Sequence, residues 1–270
     1  MLLAIIGYGF ISYFLDRLPR KNDQDLLTIR VPPKLQIILA GGDRYLAANL
    51  AAYRAVVVGN GQLDPKTYEI LANVQKDASL LNPAHEDNYY LAQAILPWNN
   101  QVEADILIQR AASQAREWDT LPAFFYAFDQ YYFLRDPVAG AKTLKWAAER
   151  APENDRVPLM SMAARWSEKG DDPREAIKLV TAMMDGTRDK ELKRNLHTRI
   201  ARLAGLATLR DAARQFEQNN GRPLASLDEL TRQGLLAELP QDPLGDGYNI
   251  DKSGLPIIAK ARPKPAPSKQ

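Results

Sequence analysis

Four helix-start markers recur at a constant step of 36 residues: Asp64, Asn100, Asp136 and Asp172. Three of them precede proline, at Pro65, Pro137 and Pro173, and the other precedes Gln101. An Asp or Asn before Pro is a helix N-cap followed by a first-turn proline, whose missing N–H would go unused there anyway. Asp119 and Asp155, Pro122 and Pro158, Ala111 and Ala147, Ala112 and Ala148, and Ala127 and Ala163 keep the same step. A period of this length marks a chain built from repeated supersecondary units. Each period holds two helical patterns, so each unit reads as a helical hairpin. Second helices are expected to start near Pro65, Gln101, Pro137 and Pro173. First helices are expected over 43–58, 84–96, 121–134 and 157–169. Small residues at Ala104, Gly140 and Ala176 let paired helices approach closely, and Gly170 reads as a helix-ending glycine. A single hairpin leaves apolar surface open, so stacking on neighbours is required.

The segments outside the repeats differ in kind. Residues 1–15, MLLAIIGYGFISYFL, carry no charge, and Arg17, Arg20 and Lys21 follow. We read 1–18 as a membrane helix whose basic residues snorkel to the headgroups. Asp16-Arg17-Leu18-Pro19 is not a small-residue cleavage site, which favours a retained anchor over a signal peptide. Residues 19–42 read as a linker. Residues 188–219 read as one long helix, with an apolar stripe from Leu192, Leu196, Ile200, Leu203, Leu206, Ala213 and Phe216. Ser226 and Glu229 form a capping box for a short helix that Gly234 closes. Turns follow at 242–245 and 246–247, then short strands at 248–250 and 255–258. Residues 259–270 carry four cations, no acids and alternating prolines, the pattern of an extended basic tail.

Composition removes several chemistries. Lys plus Arg is 35 and Asp plus Glu is 33, a net charge of +2 that argues against a dedicated nucleic-acid binder. The absence of cysteine removes disulfides, thiolate metal sites and Cys nucleophiles. His85-Glu86-Asp87 gathers possible ligands but falls at a helix start, where acids suit the dipole. His197 sits among Lys193, Arg194 and Arg199 and reads as a solvated face. Val56-Val57-Val58-Gly59-Asn60-Gly61 lacks the third glycine of a dinucleotide loop. The sequence holds no phosphate loop, nucleophile elbow or His-Glu-x-x-His motif. No catalytic, metal-binding or cofactor-binding residue is nominated.

Two stretches resemble known families. Met162-Ala163-Ala164-Arg165-Trp166-Ser167-Glu168-Lys169-Gly170 followed by Asp172-Pro173-Arg174-Glu175-Ala176-Ile177, with Pro152 as a terminal proline, resembles the tetratricopeptide repeat. The likeness covers about 43–187. It implies a mainly α fold, a right-handed α-solenoid of hairpins, with first helices lining a concave surface that binds protein. Carried over by register, that surface holds Asn88, Leu121, Phe124, Phe128, Tyr131 and Tyr132. Around them fall Ala92, Ile95 and Leu96 on one side and Met160, Ala164, Ser167 and Glu168 on the other. Residues 124–133 contain seven aromatics in ten. They suit either inter-repeat core or a partner groove, since aromatic side chains dominate both.

The second likeness covers about 205–255. Gly221-Arg222-Pro223, Leu227, Leu230, Gly234-Leu235-Leu236, Leu239-Pro240, Asp242-Pro243-Leu244-Gly245, Tyr248 and Gly254 resemble the periplasmic part of type II secretion pseudopilins. The family's downstream acidic calcium loop has no counterpart, so neither calcium binding nor subunit polymerisation is carried over. What remains is a small helix–turn–β unit that caps the repeats or docks to an assembly.

Together these features lead us to expect a membrane-anchored, non-enzymatic scaffold. It would bind protein partners in a bacterial cell-envelope system such as secretion, pilus or polysaccharide export. Charge alone would place the body in the cytoplasm; the pseudopilin likeness favours a periplasmic body at the inner membrane. The alternatives are a structural subunit with no exchangeable ligand, and an enzyme with an unrecognised site.

Overall fold

The computed structural model describes Tyr13, residues 30–59 and residues 63–259. The expected anchor, apart from Tyr13, and the tail, apart from Ala259, lie outside the described residues. Among the described residues, no helix is long and apolar enough to cross a membrane. The described chain is mainly helical, and its contacts divide it into two units, Met1–Ala115 and Arg116–Gln270.

The first unit contains helices α1 (Pro33–Leu39), α2 (Arg44–Gly59), α3 (Pro65–Leu81), α4 (Glu86–Ile95) and α5 (Val102–Ala115). Helix α1 falls within the stretch read as linker; Pro33 starts it, and Ile37 anchors it on Ala40, Ala47, Ala48 and Leu81. Asp64 caps α3 by accepting from the amides of Lys66 and Thr67. His85 caps α4, its Nδ1 accepting from the Asn88 amide at 3.3 Å. The Asn100 marker differs from its equivalents. With Gln101 where the others have proline, Pro97–Asn99 forms a 3-10 turn and Asn100 adopts φ 61°. Asn tolerates that left-handed conformation, so here it ends one element rather than capping the next. Leu71, Ala78, Tyr89, Leu96 and Ile108 are among the buried side chains of this unit.

The second unit contains α6 (Leu121–Tyr132), α7 (Pro137–Arg150), α8 (Glu153–Ser167), α9 (Pro173–Gly186) and α10 (Lys190–Asn220), then α11 (Asp228–Arg232), β1 (Tyr248–Ile250) and β2 (Pro256–Ile258). Each of α6 to α9 packs on its successor; α7 also touches α9, and α8 touches α10. This is the contact pattern of stacked hairpins. One core joins Ala127, Leu144, Ala164, Val180, Met183, Leu196 and Leu203. Helix α8 starts before the expected residue 157. Glu153 and Asp155 fill its first turn, so Pro158 lies inside the helix at an exposed position. Arg156 donates to the carbonyls of Ala148 and Ala151, closing the end of α7.

Gly170 does not have the positive φ of a helix-ending glycine. It is needed for close approach, because a Cβ there would stand 2.6 Å from Val138 Cγ2. The positive φ falls instead at Gly221, which ends α10 at 64°. A second, smaller core gathers Leu209, Phe216, Leu224 and Leu230 beneath α11. The two strands pair antiparallel, Asn249 opposite Ile257. Their turn is built by Asp251, whose Oδ1 accepts from the amides of Ser253 and Leu255. The expected capping box is shifted. Ser226 Oγ accepts from Asp228 N at 3.3 Å, while Glu229 reaches back to the Ala225 amide at 2.9 Å and pairs with Arg222.

Candidate functional site

Helix α6 carries six aromatic side chains, more than one helix face can bury, so the fold must sort them. Phe124 packs against the core of the second unit. Tyr131 stacks on Trp166 of α8 with centroids 4.3 Å apart and planes 14° apart, and Lys169 Nζ bonds its hydroxyl. Gly140 makes this possible, since a Cβ there would meet Ala127 O at 2.8 Å and Trp166 Cε3 at 3.2 Å. Both side chains are thus used in joining helices. Leu121 is half-buried. Phe128 and Tyr132 stack on each other at 5.3 Å and 7°, with Phe133 edge-on to both. The Arg135 guanidinium lies 5.3 Å from the Tyr132 ring centre, and Tyr132 stays 39% exposed.

Asn88 belongs to the first unit. It is buried, and its side-chain amide donates to Gln75 O at 3.1 Å. Ala92, Leu96, Met160, Ala164 and Ser167 are buried as well. Of the six nominated residues, the structure stacks half-buried Phe128 on Tyr132, the one of the six that is exposed. It commits Phe124 and Tyr131 to packing within the second unit.

The second unit also contains a site that the sequence reading did not nominate. A groove of about 730 Å³ is lined by the end of α8, by α10 and by the β-hairpin, with Arg165, Lys169, Arg199, Arg210, Leu255 and Ile257 among its walls. Buried Arg202, another of its lining residues, donates from Nε and a terminal nitrogen to both oxygens of Asp242, at 2.8 and 2.7 Å. The same terminal nitrogen reaches Asp246 at 2.7 Å. Burial works against the charge on Arg202, but the hydrogen bonds to Asp242 and Asp246 outweigh it and hold its pKa above the usual arginine value. Burial likewise pushes Asp242 up, and is overcome by Arg202 and by the amides of Leu244 and Gly247, leaving its carboxyl below the usual range.

Tyr248 completes this cluster. Its hydroxyl donates to Arg202 O at 2.7 Å, in space kept open by Gly205. Burial, reinforced by Asp242, pushes its pKa up to about 12. Arg210 differs: burial pulls its pKa down, and it bonds the carbonyls of Pro256 and Asp171. The signal for Arg202 was present in the sequence, as an arginine directly beside Leu203 in the apolar stripe of α10. A charge in such a register needs a buried partner, and Asp242 had been accounted for by its turn alone.

Among the described residues, the groove wall contains no Ser, Thr, Cys or His. No group of three or more His, Cys, Asp or Glu side chains there could hold a metal ion. The wall offers charged side chains of both signs, Glu168, Asp246 and Asp251 beside Arg165, Lys169 and Arg199, together with the apolar Leu255 and Ile257. No family profile, curated protein or solved structure matches the chain, so function is argued from these side chains.

Proposed function

We propose that this chain is a membrane-tethered, non-catalytic scaffold. Its helical hairpins, a right-handed solenoid of tetratricopeptide type, bind protein partners of a bacterial cell-envelope assembly. The observation that carries this reading is the division of labour on α6. Phe124 and Tyr131 are used in packing, while Tyr132, stacked on half-buried Phe128, is 39% exposed. Stacked aromatics on a rigid helix lose little entropy on binding and are typical interface anchors. The apolar run 1–15 supports the tether, and the pseudopilin-like order of 205–255 supports an envelope setting.

The experiment is recovery of co-purifying proteins from membranes, using full-length wild type and Phe128→Ala plus Tyr132→Ala. Circular dichroism and thermal melting check that the variant is folded. The scaffold reading expects a folded variant that loses its partners. A folded variant with an unchanged set of partners would remove this surface from the account.

A further inference from the structure

Helix α2 has its side chains inverted for a helix surrounded by water. Ala47, Ala48, Ala51, Ala52 and Ala55 are buried, while Tyr45, Leu46, Leu50, Tyr53 and Val56 point outward and are exposed. Helix α1, which packs on α2, adds further exposed apolar side chains: none of its residues is buried, and Ile38 and Leu39 are 71% and 72% exposed. Exposed apolar side chains in this number on two neighbouring helices mark an interaction site.

We propose that the outward face of α1 and α2 lies on the surface of a lipid bilayer, at the boundary between headgroups and acyl chains. The proposal rests on the reading of residues 1–18 as a membrane anchor. Three observations favour lipid as the occupant. First, α1 is the first described helix after that apolar run, and residues 16–32 join the two, so the anchor would hold this face close to the membrane. Second, the charged residues of 33–59 are Lys34, Arg44 and Arg54 against a single acid, Asp43. Asp43 is engaged by the amides of Tyr45 and Leu46 at 2.8 and 3.2 Å, where it caps α2, and Arg44 Nε donates to Leu81 O at 2.7 Å while keeping its charge. A basic excess beside an apolar face suits anionic headgroups. Third, the exposed set mixes long aliphatic side chains with Tyr45 and Tyr53, and tyrosine concentrates at membrane interfaces. Among the described residues no helix is long and apolar enough to span, so these helices would lie in the plane of the interface.

The chain lacks cysteine, so single cysteines can be introduced cleanly at Leu39, at Leu50 and, as a control in the second unit, at Lys252. Each full-length variant is labelled with an environment-sensitive nitrobenzoxadiazole probe. It is then reconstituted into vesicles of phosphatidylcholine and phosphatidylglycerol. Flotation reports the anchor, and quenching by nitroxide lipids or by aqueous iodide reports the face. The proposal expects the protein to float, with probes at 39 and 50 blue-shifted, quenched by headgroup-proximal nitroxides and several-fold protected from iodide relative to 252. If the protein floats but all three probes are equally open to iodide, the anchor stands and the inference falls. If the probes at 39 and 50 are shielded from iodide yet untouched by nitroxide lipids, protein covers the face and the inference also falls. Failure to float removes the anchor reading, and the bilayer contact with it.

Discussion

At the residue scale, the most consequential group is Arg202. Its guanidinium and Asp242 are both almost wholly buried and bonded through two parallel hydrogen bonds. Removing one partner of such a pair strands the other charge. We therefore expect Arg202→Ala to lower stability by about 3 kcal/mol. Arg202→Met with Asp242→Leu should lose clearly less than the two single changes added together, as measured by denaturant unfolding of the full chain. Gly140→Ala places a methyl group against the Ala127 carbonyl and should cost about 1–3 kcal/mol by overpacking.

Two titrations belong at this scale as well. Glu229 is held near about 2, against an ordinary 4.5, chiefly by its hydrogen bond from Arg222 and then by the Ala225 amide. Its carboxylate stabilises the fold fully above 4.5, and that contribution fades as pH falls toward about 2. Tyr248, raised from 10.0 to about 12, behaves in the opposite sense: its contribution is complete below 10 and is lost as pH rises toward about 12. Absorbance titration should show Tyr248 ionising at about 12, with the amplitude there reduced by one tyrosine in Tyr248→Phe.

At the element scale, helix starts were the most legible feature because they depend on local chemistry. Asp64, Asp136 and Asp172 each accept from first-turn amides, and proline follows each. We expect Asp136→Ala to cost about 1 kcal/mol. Asn100→Gly should be close to neutral, since Asn100 holds φ 61° and caps nothing. Thermal melting of the two variants separates a marker that caps from one that turns. Asn100 was misread because the period is a pattern of letters, and when Gln101 rather than a proline follows, the marker takes a different conformation. Helix α8 starts at Glu153, ahead of the expected residue 157, because Pro158 is exposed near the helix N-terminus, where the carbonyl it leaves unbonded can face solvent. The candidate site was less legible. Register could place aromatics on α6 but could not say which would be consumed by Gly140 and Trp166. Arg202 and Asp242 lie 40 residues apart, and no local rule joins them.

At the scale of the whole molecule, the account joins a membrane tether to helical hairpins and a C-terminal unit locked by Arg202. A tether through residues 1–18 predicts that the full chain stays with the membrane pellet after an alkaline carbonate wash, and is released when those residues are removed. Immunoblotting of pellet and supernatant decides this. The central claim, that the chain works by holding other proteins at a membrane, is tested most directly by chemical crosslinking with mass spectrometry in native membranes. The account predicts reproducible crosslinks from the second unit to other membrane or envelope proteins, weakened in Phe128→Ala plus Tyr132→Ala. Crosslinks confined to the chain itself, with the protein recovered in the soluble fraction, would contradict it.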